Sequence, residues 1–397
     1  MSDKAVSLYI HIPFCISKCN YCDFFSVPVG NQNAINSKYI DALCNEICYR
    51  LNECKFNKLK TVYIGGGTPS LLKRNDLIKL SNLIKKIGLE QNYEFSFEVN
   101  PDDITEELLQ TLDECGINRI SCGIQSFSDN ALKKANRRAH KKTVLTALDL
   151  LQTKWHKNLS VDLICGLPGE TKETLMQGLE LLTKMKIPHI SFYSLCVETE
   201  TPLGQAINGG SIEYDFDFAD HLWLTGRDFL ISNGYVQYEV SNFCKPGFEC
   251  IHNMTYWSHE NYIGCGAGGT GTVYNIPLYG NLIEKKGEGV RYTNNKNVDA
   301  YIKFWNKEFK DNSQNAVNIP QSVEKIIHST SKFEYFMMGL RTKKGINVNE
   351  YEHIFGEKIP DDLLKKLEIH CTQTEAGHFY MNEQQILFLN KFLEEIL

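Results

Sequence analysis

The stretch Tyr9-Ile10-His11-Ile12-Pro13-Phe14-Cys15-Ile16-Ser17-Lys18-Cys19-Asn20-Tyr21-Cys22-Asp23-Phe24 decides how the rest of the chain is read. Val6 to Phe14 is an apolar run rich in aromatic and β-forming residues, which predicts a buried strand. The strand delivers a loop with cysteines spaced C-x3-C-x2-C, namely Cys15, Cys19 and Cys22. Three thiolates on one short loop can hold three corners of a cubane [4Fe–4S] cluster, whose usual complement is four cysteines. The missing fourth ligand leaves one iron open to an exchangeable partner. Zinc, or three buried free thiols, are the alternatives. Zinc normally takes a second Cys/His pair at its own spacing to close a tetrahedron, and no such pair is obvious here.

Downstream, strand patterns alternate with helix patterns. Ile35 to Cys54 places Ile40, Leu43, Ile47 and Leu51 at helical spacing. Strands are predicted at Thr61–Ile64, Tyr93–Val99, Ile117–Ile124, Leu159–Ile164 and His189–Leu195. Helices are predicted at Leu71–Ile87, Thr105–Cys115 with Thr105 as N-cap, Lys141–Lys154, a segment ending at Lys186, and Phe216–Asn233. Six strand-then-helix units argue for a parallel α/β sheet. Polar and glycine-rich words, such as Gly65-Gly66-Gly67-Thr68-Pro69-Ser70 and Gly123-Ile124-Gln125-Ser126-Phe127, fall at the strands' carboxyl ends. Sheets of this class place their sites there. The GGGTP word is not a phosphate loop, because no Gly-Lys-Ser/Thr follows.

Past Gly234 the pattern changes. Gly234–Asn242 reads as strand and turn, Cys250–Gly271 is rich in aromatics and glycine, and Gly287–Asn297 reads as loop. From Ser322 helices return at Phe333–Leu340, Asn349–Phe355 and Asp361–Ile369. A hairpin-like piece at Cys371–Met381 and a helix to Leu397 follow. This divides the chain into 1–233, 234–321 and 322–397, the last a winged-helix-like unit without DNA-binding charge.

The 397 residues are 42% hydrophobic and 23% charged, with net charge −6. That is ordinary globular composition and argues against a nucleic-acid-binding protein. No apolar run reaches the ~18 residues of a membrane span, and no secretory signal is expected at the start. Fourteen cysteines, mostly isolated in apolar segments, suit a reducing cytoplasm. Cys44 and Cys48, one helical turn apart near Cys54, are expected to pack and not to hold a second metal.

The cysteine loop resembles the signature of the radical S-adenosylmethionine (SAM) superfamily. The words YIHIPFC and CNYCDFFS resemble one branch of it, the oxygen-independent coproporphyrinogen oxidases and their HemW-type haem-chaperone relatives. The resemblance implies a partial (β/α)6 barrel with Cys15, Cys19 and Cys22 on the cluster and SAM on the open iron. The superfamily's chemistry is one-electron reduction of SAM's sulfonium to methionine and a 5′-deoxyadenosyl radical. It further implies that Gly66, Gly67 and Thr68 hold the methionine end of SAM. Tyr9, Glu98, Gln125, Arg137 and Asp162 match other SAM-contacting positions. Cys196 stands where the family often has a small adenine-contacting residue, and Arg138-Ala139-His140 is a family-like word with an equally good surface reading.

Two features separate the branches. The oxidases typically carry a fourth cysteine two residues after the third, and a substantial arm before the loop. Here that position is Phe24, and 14 residues precede Cys15. His252-Asn253-Met254-Thr255-Tyr256-Trp257 fits the H-N-x-x-Y-W word that HemW-type proteins link to haem. A neutral imidazole ligates haem iron and flanking aromatics stack on a porphyrin, which makes His252 the candidate ligand and Tyr256 and Trp257 the pocket walls. The alternative is a core histidine with two packing aromatics, with Cys250 and His259 next as ligands. No C-x-x-C-H word indicates covalent haem attachment. The resemblance therefore implies a cytoplasmic [4Fe–4S] protein that binds SAM and haem and passes haem to acceptor proteins. It would be served by an electron donor and would lack coproporphyrinogen oxidase activity.

Overall fold

The computed structural model describes residues 4–30, 35–308 and 319–396. Its first strand, β1 (Ala5–Ile12), lies inside the sheet, not at an edge. On one side it pairs in parallel with β2 (Lys58–Gly66). The series continues, always parallel, through β3 (Leu89–Val99), β4 (Arg119–Gln125), β5 (Asn158–Cys165) and β6 (His189–Ser194). The crossovers are α1 (Lys38–Glu53), α2 (Arg74–Ile87), α3 (Glu106–Cys115), α4 (Lys141–Lys154) and α5 (Lys172–Lys184), with α6 (Phe216–Ser232) after β6. Parallel strands need such crossovers, so the regular alternation in sequence becomes neighbouring order in space. Thr105 does cap α3, its Oγ1 accepting the Leu108 N–H at 3.1 Å.

The strands β3 to β6 alternate strictly. Phe95, Phe97, Ile120, Cys122, Leu159, Val161, Ile190 and Phe192 join the main hydrophobic core. Ser96, Glu98, Arg119, Ser121, Ser160, Asp162, His189 and Ser191 face a cavity instead. A parallel sheet covered on both faces reads as continuous hydrophobic runs. Here one face is polar because it lines a cavity.

Two segments depart from expectation. Tyr262–Cys265, inside the glycine-rich stretch, is a strand (β9) that pairs in parallel with the other edge of β1 and extends the parallel series beyond six. Gly289–Asn294, read as loop, is strand β11. It lies between β10 (Thr270–Tyr274) and β12 (Gln321–Ile326), all antiparallel. At the far edge β7 (Val236–Gln237) and β8 (Asn242–Cys244) complete the sheet. Boundaries also move: β3 begins at Leu89, and α8 (His328–Gly339) begins five residues before the expected Phe333.

A buried ion pair ties α1 to the β9 to β12 side of the sheet. Arg50 on α1 lies 2.6 Å from Glu46 and donates to Asn294 at 2.7 Å and Gln321 at 2.9 Å. Glu46 in turn accepts from the Gly266 N–H at 2.8 Å and from Tyr301 at 2.6 Å. Both side chains are 0% exposed.

The C-terminal segment has α8, α9 (Val348–Phe355), α10 (Asp361–His370) and α11 (Leu389–Ile396). Its small sheet pairs Thr372–Gln373 with His378–Tyr380, the expected hairpin, and adds Ile346–Asn347. Tyr335, Tyr351, Phe355, Phe379 and Phe392 form a core there, separate from that of the main sheet. Leu397 lies outside the described residues.

Candidate functional site

A cavity of about 470 Å³ opens at the carboxyl ends of β2 to β6, within the range of small-molecule sites. The cysteine loop covers it from above. Asn20 fixes the loop, donating to the Ala135 carbonyl (3.0 Å) and the Lys134 carbonyl (2.9 Å), while Asn136 donates back to Lys18 (2.9 Å). Cys15, Cys19 and Cys22 are free thiols that line the cavity. Burial pushes the Cys22 thiol up to about 11, so taking up metal there releases a proton. Thr68 donates to Cys15 Sγ at 3.4 Å, and Arg137 reaches Cys19 Sγ at 3.8 Å. Among the described residues no three His, Cys, Asp or Glu side chains converge on one point as a mononuclear metal shell would.

Below the loop, Gly66 has φ +112°, and a Cβ there would meet the His11 ring at 2.5 Å. A Cβ on Gly67 would meet the Phe14 carbonyl at 2.7 Å. Only glycine allows this backbone approach. Glu98 accepts from Tyr63 Oη at 2.8 Å and from the Gly66 N–H at 3.0 Å. Burial raises its carboxyl to about 7, with Asp162 adding and those two donors opposing. Asp162 accepts from Ser121 at 2.9 Å and is raised to about 6, again chiefly by burial. Asn100 bridges Thr68 (3.2 Å) and Arg137 (3.1 Å). Gln125 stands at the end of β4 with φ +66°, a left-handed conformation that costs a non-glycine residue roughly 1–3 kcal/mol and is commonest at functional sites.

The structure thus brings Gly66, Gly67, Thr68, Glu98, Gln125, Arg137 and Asp162 to one cavity with the three cysteines. Tyr9 is outside its lining; its hydroxyl is 2.9 Å from His11 Nδ1, and its ring stands beside Tyr63 and His252. Cys196 is exposed at the rim and 3.0 Å from Glu198, and Phe24 is 68% exposed there. Arg138 pairs with Asp103 at 2.7 Å, a structural role.

The H-N-x-x-Y-W word lies beneath this cavity. It forms helix α7 (Ile251–Trp257), which packs against β2 and β3 and closes the cavity from beneath, where Cys250 and Asn253 line it. His252 is 1% exposed. Its Nδ1 is 2.7 Å from Thr61 Oγ1 and its Nε2 2.8 Å from Tyr256 Oη. Burial lowers it to about 3, so the ring is neutral. Both ring nitrogens thus have partners within the protein, and the ring is buried. Cys250 and His259 are equally engaged, with Glu94 (3.3 Å) and Ser331 (3.0 Å).

Tyr63, Asn100, Ser121, Ser191 and Arg119 are site residues that sequence reading missed. Ser96 Oγ, Arg119 Nη2 and Arg137 Nε are buried without a hydrogen-bond partner in the protein, and all three residues line the cavity. Buried polar atoms normally have partners. Together with the glycine cradle and the three free thiols, these atoms fit a polar molecule held beneath a thiolate-bound group.

Comparison with known proteins agrees. Residues 9–182 match the model of the radical SAM superfamily. The chain is 34% identical over 382 residues to the heme chaperone HemW of Lactococcus lactis, covering 92% of each. It is 36% identical over 396 residues to the heme chaperone HemW of Bacillus subtilis, covering 97% of each. The coproporphyrinogen III oxidase HemN of Escherichia coli, a radical SAM enzyme, superposes with a TM-score of 0.77 over 99% of this chain and 90% of that one. At 19% identity that likeness is one of fold. Membership of the superfamily implies a [4Fe–4S] cluster and SAM. The chain belongs to the HemW family of radical SAM proteins.

Proposed function

We propose that this protein is a haem chaperone built on a radical SAM core: it binds haem and transfers it to acceptor haem proteins. The observation that carries the reading is relatedness over nearly the whole chain to proteins named heme chaperones. The oxidase likeness extends only to fold. Phe24, at the cavity rim where the oxidases typically have a fourth cysteine, supports the same choice.

In this reading Cys15, Cys19 and Cys22 hold the cluster. Gly66, Gly67 and Thr68 admit the methionine end of SAM, Glu98 and Asp162 accept from its polar groups, and Gln125 and Arg137 complete the wall. When bound, the cluster supplies single electrons to SAM, which requires an electron donor. The polar face of β3 to β6 orients the ligand, and α7 keeps water from entering beneath it. Haem is held without covalent attachment, since the chain has no C-x-x-C-H word. The protein works in the cytoplasm.

The test is anaerobic purification with iron and sulfide reconstitution, followed by haem titration and a coproporphyrinogen III turnover assay on one sample. About four irons per chain, saturable haem binding and no protoporphyrinogen are expected. Robust turnover would move the protein to the oxidase reading, and absence of haem binding would remove the chaperone reading.

A further inference from the structure

Helix α7 touches the SAM cavity through a chain of contacts that ends on Glu98. The Glu94 carboxylate accepts the N–H groups of Ile251 (3.0 Å) and His252 (2.9 Å), which pins the start of the helix to β3. His252, held at both ring nitrogens by Thr61 and Tyr256, cannot turn about its own axis without breaking both bonds. Its ring stacks on that of Tyr63, with centroids 5.1 Å apart and planes at 28°. The Tyr63 hydroxyl then donates to Glu98 Oε1, while the Gly66 N–H holds Oε2. Each carboxylate oxygen is therefore fixed by one donor and keeps lone pairs for a ligand.

We infer that His252 and Tyr63 are positioning residues for SAM: the H-N-x-x-Y-W helix sets the orientation of Glu98 from beneath the cavity. The inference rests on the reading that Glu98 binds SAM. Tyr63 is the link, since it alone touches both the histidine ring and the carboxylate in the contacts described.

The experiment measures SAM affinity of the reconstituted protein as wild type, Tyr63→Phe, His252→Gln, Glu98→Gln and the Tyr63→Phe/Glu98→Gln double variant. Iron content, thermal midpoint and haem stoichiometry are followed on each. Tyr63→Phe removes one oxygen and keeps the ring, so it retains the fold if His252→Gln does not. SAM binding is expected to weaken roughly tenfold in Tyr63→Phe, the scale of a lost hydrogen bond to a charged group. Iron content and haem stoichiometry stay at the wild-type level. Contacting residues couple, so the double variant binds SAM no more weakly than Glu98→Gln alone. The midpoint of the pH dependence of SAM binding moves upward in Tyr63→Phe, because a donor that favours the ionised carboxylate is gone; a merely structural defect would leave that midpoint in place. Wild-type SAM affinity in Tyr63→Phe, or additive losses in the double variant, would overturn the inference while leaving the SAM reading intact. Wild-type SAM affinity in a folded His252→Gln protein would also overturn it. If Glu98→Gln binds SAM as wild type does, the underlying reading fails and the inference falls with it.

Discussion

SAM affinity is expected to rise with pH through neutrality, and Glu98 sets the size of the effect. Its carboxyl is raised to about 7 by burial, and the ionised form is the one that accepts from the ligand at both oxygens. A site at about 7 is roughly one-tenth ionised at pH 6 and nine-tenths at pH 8, so affinity should grow about tenfold over that interval. Asp162, raised to about 6, adds a smaller rise at lower pH. The sign for stability is opposite. A carboxyl whose folded pKa lies above its unfolded value contributes stability that is complete below about 4.5 and is lost as pH climbs through 7. The SAM-free protein should therefore lose stability over the range in which SAM binding improves. Equilibrium binding at pH 6, 7 and 8 on wild type and Glu98→Gln separates Glu98 from the ligand's own titration. A slope that is the same in both proteins would refute the reasoning.

Four further outcomes are expected. Alanine at Cys15, Cys19 or Cys22 should abolish iron–sulfur absorbance after reconstitution, while Cys44→Ala should retain it. Arg50→Ala should destabilise the fold by about 3–5 kcal/mol in chemical denaturation, because it strands the buried Glu46 carboxylate. Gly66→Ala should cost roughly 1–3 kcal/mol in the same assay, from the backbone angle alone, and weaken SAM binding through the clash with His11. Added SAM should alter the EPR spectrum of the reduced cluster; an unchanged spectrum at saturation would count against a ligand on the open iron.

The features legible in the sequence are those written in a single word. C-x3-C-x2-C and GGGTP each fix a local backbone and a set of donors, so neither needs knowledge of distant residues. Strand–helix alternation was equally local. His252 shows the limit. An imidazole between aromatics reads alike as haem ligand or core residue, and the residue that holds its Nδ1, Thr61, is 191 positions away. Tyr63 and Asn100 were missed for the same reason, since their partners Glu98 and Arg137 are 35 and 37 positions distant. Strand β9 was hidden by the glycines around it, which weaken strand propensity. They are there because neighbouring backbones run close: a Cβ on Gly264 would meet the Thr270 carbonyl at 1.9 Å. Ser96, Ser121, Ser160 and Ser191 alternate with core residues along their strands. Period-2 patterning in strands joined by helices marks a polar interior.

The place of β1 between β2 and β9 has a consequence for how the protein is made. Ile10 pairs with Cys265, so one edge of the first strand waits for residues that leave the ribosome much later. At about 5–20 residues per second the delay is roughly 13–50 s. Through that interval the cysteine loop is already synthesised but hangs from a strand with an unpaired edge, a template for pairing with other chains. A nascent chain stopped short of Tyr262 would carry all three thiols on a sheet that still lacks its β9 to β12 side.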